Sequence, residues 1–138
     1  MNQLIEKFGD KLAVLAFPCN QFGHQENNTD GELLNCLKYV RPGNNYVPKM
    51  EIFQKLEVNG ENSHAVFQYL RSSLPTPSDD TVSLMSDPKY VIWQPLTRTD
   101  ISWNFEKFLI GKNGKPFKRF SKCYETIKIA SDIEDLLK

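Results

Sequence analysis

The chain has 138 residues and a mass of 15.9 kDa, the size of one domain. Seventeen Lys and Arg balance seventeen Asp and Glu, which excludes a protein held to nucleic acid by a clustered positive surface. With 40% apolar and 25% charged residues, three cysteines and no apolar run longer than Leu12–Phe17, it also excludes a disordered chain, a disulfide scaffold and an apolar helical span of a membrane. The expectation is a reduced, soluble, enzyme-sized domain.

Met1, Leu4, Ile5 and Phe8 recur at the spacing of one helical face, so a helix is predicted at the start of the chain, stopped by Gly9. Leu12–Phe17 predicts a strand buried on both faces. A helix feeding such a strand is the second half of a strand–helix–strand unit, whose first strand is expected upstream of Met1. Thr29-Asp-Gly-Glu32 has the form of a capping box and starts a helix with Leu33, Leu34 and Leu37 inward, ended by Arg41-Pro42-Gly43. Ile52 to Val58 reads as a short extended or irregular piece closed by the Asn59-Gly60 turn. A third helix from Ser63 to about Leu74 is expected to bury Val66, Phe67 and Leu70. Residues 75–100, with Pro75, Pro77, Pro88 and Pro95, have no period and are too long for a connector, which marks a functional or interfacial segment. Ser102–Ile110 and Pro116–Ser121 predict a hairpin turning at Asn113-Gly114. Ser131-Asp-Ile-Glu134 predicts a second capping box, with Ile133, Leu136 and Leu137 inward. Residues 1–138 are expected to form a single, N-terminally incomplete domain. The fold class expected is α/β: a thioredoxin-like fold with a central mixed sheet flanked by helices, lacking its first core strand.

Phe17-Pro-Cys-Asn-Gln-Phe-Gly-His-Gln-Glu26 is similar to the signature of glutathione peroxidases, and Trp103-Asn104-Phe105 resembles their second motif. Leu37-Lys-Tyr-Val-Arg-Pro-Gly43, Glu57-Val-Asn-Gly60 and Trp103 to Ile110 also resemble this family, so the likeness runs over essentially the whole chain. It implies a thioredoxin-like enzyme that reduces hydrogen peroxide and organic hydroperoxides at a selenocysteine or cysteine, in response to oxidative stress. The resemblance places that peroxidatic residue upstream of Met1, at the start of the helix whose tail is Met1–Phe8, and none of Cys19, Cys36 or Cys123 matches it. A selenocysteine codon read as a stop would account for the lost residue and the lost strand together.

Attack on a peroxide needs a stabilised anion and a proton for the departing oxygen, and neutral donors supply both without locking the anion in an ion pair. Gln25 and Asn104 offer amide N–H groups and Trp103 an indole N–H. The resemblance makes these three the catalytic partners of the peroxidatic residue. Cys19, after an apolar strand with no cation beside it in sequence, reads as a buried or inert thiol. No Cys/His spacing suggests a metal site, and no bound cofactor is expected.

Glutathione carries two carboxylates and an amine, so basic side chains suit it. The resemblance puts Arg41 and Lys122 where glutathione is contacted, with Lys118 and Arg119 as weaker candidates on the hairpin. Lys122-Cys123 stands where close relatives show two arginines, and lysine cannot reproduce the guanidinium fork. Thioredoxin-dependent members use a resolving cysteine in the helix after the first motif. Cys36 lies in that helix about two residues early, which turns it by roughly 200°. Ser78-Asp-Asp80 and Leu84-Met-Ser-Asp-Pro88 resemble the loop of tetrameric, glutathione-using members, so a homotetramer is expected. Gly23-His-Gln-Glu26 resembles cytosolic forms, which implies the cytoplasm; a leader upstream of Met1 would make the protein extracellular. A non-catalytic thioredoxin-like pseudoenzyme and a thiol peroxidase using Cys19 are the competing readings.

Overall fold

Helix α1 (Asn2–Phe8) buries Leu4 and ends at Gly9, whose φ of 53° lies in the left-handed region that glycine occupies without strain. This computed structural model describes residues 1–138. A single-turn 3₁₀ helix over Gly9–Lys11 then leads to strand β1 (Leu15–Ala16), which pairs in parallel with β2 (Glu51–Ile52). Leu12–Phe17 is therefore not a strand buried on both faces: the ladder is two residues long and Leu15 is 53% exposed. The reason is the number of neighbours. Its ladder bonds run to the β2 side, through Glu51 N–H to the Val14 carbonyl at 3.0 Å and Phe53 N–H to the Ala16 carbonyl at 2.9 Å. No strand covers the other edge.

Helix α2 (Asp30–Tyr39) starts as expected, with the Glu32 carboxylate accepting from Thr29 N–H and Oγ at 2.8 and 2.9 Å. It buries Leu33 but leaves Leu34 exposed, because its short contact covers only one line of side chains. Helix α3 (Ala65–Ser73) buries Phe67, Leu70 and, unexpectedly, Arg71, while Val66 is turned outward. The hairpin is formed by β3 (Lys107–Ile110) and β4 (Pro116–Phe120), antiparallel, with Phe108 opposite Arg119. Its first strand is shorter than predicted: Ser102–Glu106 is a turn in which Phe105 takes a φ of 65°. The closing helix α4 (Ala130–Leu137) does not start from a capping box at Ser131. A 3₁₀ turn over Thr126–Ile129 runs straight into it, placing Ser131 inside the helix with its hydroxyl on the Lys128 carbonyl at 3.2 Å.

The sheet is thus in two pieces, one parallel pair and one antiparallel pair, rather than one continuous mixed sheet. Apolar packing is divided likewise. Cys19, Phe22, Val58, Phe67, Leu70, Trp93 and Ile101 form one cluster, and Leu4, Phe120, Ile129 and Ile133 the other. Trp93 belongs to the long segment 75–100, so that segment contributes to the core and is not a mere connector. Each buried Leu, Ile, Val or Phe among these stabilises by about 1.5–3 kcal/mol.

Candidate active site

After β1 the chain enters a loop stapled by its own amides. Asn20 donates to Asn27 Oδ1 and accepts from Glu26 N–H, both at 2.9 Å, and Asn27 donates to the His24 carbonyl at 2.9 Å. This leaves Gln25 exposed at the loop's outer side. The loop is fastened inward by Gln21, which is buried. Its Oε1 accepts from Val58 and Asn59 N–H at 2.9 and 3.0 Å, and its amide donates to the Asn59 carbonyl at 2.9 Å. Asn59 in turn donates to the Ile101 carbonyl at 2.8 Å and accepts from Ile101 N–H at 2.9 Å. A side-chain amide here does the work of a strand neighbour, since buried backbone groups must find partners. Gly60, with φ of 81°, completes the turn; a Cβ there would stand 3.0 Å from the Gln94 carbonyl oxygen and from Trp93 Cβ.

Ile101 lies two residues before Trp103, so this relay ties the first motif to the second. The result is a hydrogen bond from Asn104 Nδ2 to Gln25 Oε1 at 3.0 Å, across 79 residues of sequence. Trp103 sits against Phe22 and edge-on to Tyr90, with ring centroids 5.7 and 5.2 Å away. Gly23 allows this approach: its φ is 65°, and a Cβ would lie 3.4 Å from the Trp103 ring. Lys122 Nζ stands 5.9 Å from the centroid of Trp103. The structure therefore brings together Gln25, Trp103, Asn104 and Lys122. The Gln25 amide N–H groups and the Trp103 indole N–H are not consumed by protein acceptors, so the cluster presents neutral donors with a cation at its edge.

The three other predicted basic residues do not join it. Arg119 is not a rim cation: its side chain and that of Glu106 are each 1% exposed, paired at 2.8 Å, and its remaining N–H groups are taken by backbone carbonyls. Lys118 is committed to Asp132 at 2.6 Å. Arg41 follows α2 and is exposed, its backbone N–H bonded to the Cys36 carbonyl at 2.8 Å. The residues that fasten the loop and relay it to Ile101, namely Asn20, Gln21 and Asn59, escaped sequence reasoning. Their one local sign is amides set beside apolar runs, which also fits an ordinary solvated loop.

The cysteines are all unpaired. Cys19 is 8% exposed and donates weakly to Gln21 Oε1 at 3.6 Å; burial holds its thiol above the ordinary value, against thiolate formation. Cys36 is half-buried on α2 and Cys123 is exposed beside Lys122. No three His, Cys, Asp or Glu side chains are grouped to hold a metal ion.

A sequence profile of the glutathione peroxidase family matches residues 1–71. Glutathione peroxidase 1 of Sus scrofa is 57% identical over 138 residues, covering 99% of this chain and 67% of that protein. Glutathione peroxidase 2 of Homo sapiens is 57% identical over 138 residues, covering 100% of this chain and 73% of its own. Among solved structures, that of Trgpx in apo form aligns with a TM-score of 0.63 at 24% identity, over 99% of this chain and 64% of the other. That of T. cruzi GPX1 aligns with a TM-score of 0.60 at 23% identity, over 98% and 67%. These structures establish the shared fold; the relatives carry the likeness past residue 71 and through Trp103 and Asn104. On the strength of both, the chain belongs to the glutathione peroxidase family and has its thioredoxin-like α/β fold.

Proposed function

We propose that the protein containing these 138 residues reduces hydrogen peroxide and organic hydroperoxides with glutathione as co-substrate. Gln25, Trp103 and Asn104 are its donor set, and a selenocysteine or cysteine upstream of Met1 is its nucleophile. The observation that carries this reading is the Asn104–Gln25 hydrogen bond, which joins the two motifs at one point. When a selenolate or thiolate attacks a peroxide oxygen, the O–O bond breaks and the second oxygen leaves as an alkoxide or hydroxide that takes up a proton. The nucleophile becomes a selenenic or sulfenic acid. Two glutathione thiols then reduce it, releasing water and glutathione disulfide. Neutral N–H groups aimed at the departing oxygen favour the oxyanion as it develops. Lys122 and Arg41 are the cations proposed for the carboxylates of glutathione. Lys118 and Arg119 are withdrawn from that role because both are spent on carboxylates within the fold.

The test is glutathione-dependent loss of hydrogen peroxide by the gene product that includes the sequence upstream of Met1. Turnover with two thiols consumed per peroxide supports the reading. Absence of turnover with glutathione and with thioredoxin overturns it in favour of the pseudoenzyme.

Assembly as a homotetramer is part of the same proposal. Segment 75–100 leaves Val82, Leu84, Ile92 and Leu96 exposed, a set of apolar side chains that a monomer would have to solvate. Light scattering of the longer product at micromolar concentration is expected to give four subunits; a monomer contradicts the assignment. The cytoplasm is the proposed compartment, a setting that suits three unpaired cysteines.

A further inference from the structure

Arg119 and Glu106 form a buried ion pair that makes no hydrogen bond to the proposed donors, yet several of its contacts fall on the backbone just before Trp103-Asn104. Glu106 Oε2 accepts from Arg119 Nε at 2.8 Å and lies 2.8 Å from Nη2 in the ion pair. The guanidinium also donates to the carbonyls of Leu74, Pro75 and Thr99 at 3.2, 2.7 and 3.0 Å, and to that of Asp100 at 2.9 Å. The other carboxylate oxygen of Glu106 reaches back and accepts from Ser102 N–H at 2.6 Å and Ser102 Oγ at 2.8 Å. Thr99, Asp100 and Ser102 on the N-terminal side of Trp103-Asn104, and Glu106 at the end of the turn after it, are thereby held. Between them Phe105 is held at a φ of 65°, a conformation unfavourable for a bulky side chain unless its surroundings impose it.

A buried ion pair of this kind is weak grounds for stability, since apolar residues of similar volume often do as well. What it provides that apolar residues cannot is directional bonding to Ser102 N–H and to four carbonyls at once. We infer that Glu106, held by Arg119, is a positioning residue that sets the Trp103-Asn104 turn in its reactive geometry. The inference rests on the donor-set reading and extends it to residues that never meet the peroxide.

The experiment is a double-mutant cycle between Glu106→Gln and Asn104→Ala in the complete gene product. Its readout is the rate constant of the peroxide step, followed by stopped flow before the thiol is added, with thermal unfolding of each variant alongside. Misplacement of a reacting group by about 1 Å costs up to about 10²-fold, so Glu106→Gln is expected to slow the step by about tenfold or more. In the Asn104→Ala background the same substitution is expected to cost less than about twofold, because residues acting through one another are not additive. A merely structural role would lower the unfolding temperature and slow the step equally in both backgrounds. Glu106→Gln with an unchanged rate, or losses that simply multiply, overturns the inference while leaving the donor set standing. An unchanged rate in Asn104→Ala itself overturns the donor set and this inference with it. Should Glu106→Gln not fold, Ser102→Ala carries the cycle, since it deletes one bond to the same carboxylate and leaves the ion pair intact. A coupled loss upholds the inference, and no loss or an uncoupled one overturns it.

Discussion

In the gene product extended upstream of Met1, Gln25→Ala is expected to slow the reaction with hydrogen peroxide by about 10²–10³-fold, the effect of removing one donor from an oxyanion site. Trp103→Phe is expected to act in the same direction. It keeps a ring against Phe22 and Tyr90 but deletes the indole N–H. Gln25→Ala spares the core, whereas Trp103→Phe thins a ring packed against it. Gln25 is exposed and its one inter-motif bond is to Asn104, so unfolding curves of Gln25→Ala should overlay those of the parent. The checking measurement is the second-order rate constant for peroxide, taken before glutathione is added so that the thiol step does not mask the change. Wild-type constants in both variants would remove Gln25 and Trp103 from the mechanism. Lys122→Ala should leave this constant alone and raise the glutathione concentration needed for half-maximal turnover.

Breaking the buried ion pair is the second large effect. Arg119→Met leaves Glu106 without its cation in a site that water does not reach, and Glu106→Ala strands the guanidinium. Each is expected to cost about 3–5 kcal/mol, the range for uncompensated buried charge. Domains of this kind hold only about 5–15 kcal/mol in total, so either variant should unfold at much lower urea concentration. Replacing both residues together, Arg119→Met with Glu106→Leu, removes the lone charge but should recover only part of that loss, because Ser102 N–H and four carbonyls then lose their partners. Lys118→Ala, whose partner Asp132 is shared with solvent, should change stability by less than about 1 kcal/mol. Equal midpoints for Arg119→Met and Lys118→Ala would contradict the burial of the first pair.

The elements that local chemistry dictates were legible in the sequence. Gly9 stops α1, the Thr29–Glu32 capping box starts α2, and Asn113-Gly114 turns the hairpin, each through contacts within a few residues. What depended on distant partners was not. The run Leu12–Phe17 has the composition of a central strand, but burial is conferred by neighbours, and β1 has one. Ser131-Asp-Ile-Glu134 satisfies the capping pattern, yet the preceding 3₁₀ turn at Thr126–Ile129 had already begun the helix. Arg119 was misread for the same reason. Its position on β4 beside Lys118 suggests a charged rim, and the carboxylate and carbonyls that bury it come from residues 74–75, 99–100 and 106. The donor set stands apart: Gln25 and Asn104 are 79 residues apart, and nothing in their local spacing says that they meet. Only the resemblance of the two motifs to one family placed them together.

In the proposed function, residues 1–138 hold the donor half of a peroxidase site and the nucleophile comes from outside them. The most direct measurement compares residues 1–138 with the upstream-extended gene product, each given hydrogen peroxide and glutathione, with Cys19→Ser made in both. The extended protein should turn over peroxide with and without Cys19, and residues 1–138 should show no thiol-dependent turnover at all, since Cys19 is buried with its thiol held protonated. Turnover by residues 1–138 alone, abolished by Cys19→Ser, would contradict the claim and make Cys19 the nucleophile.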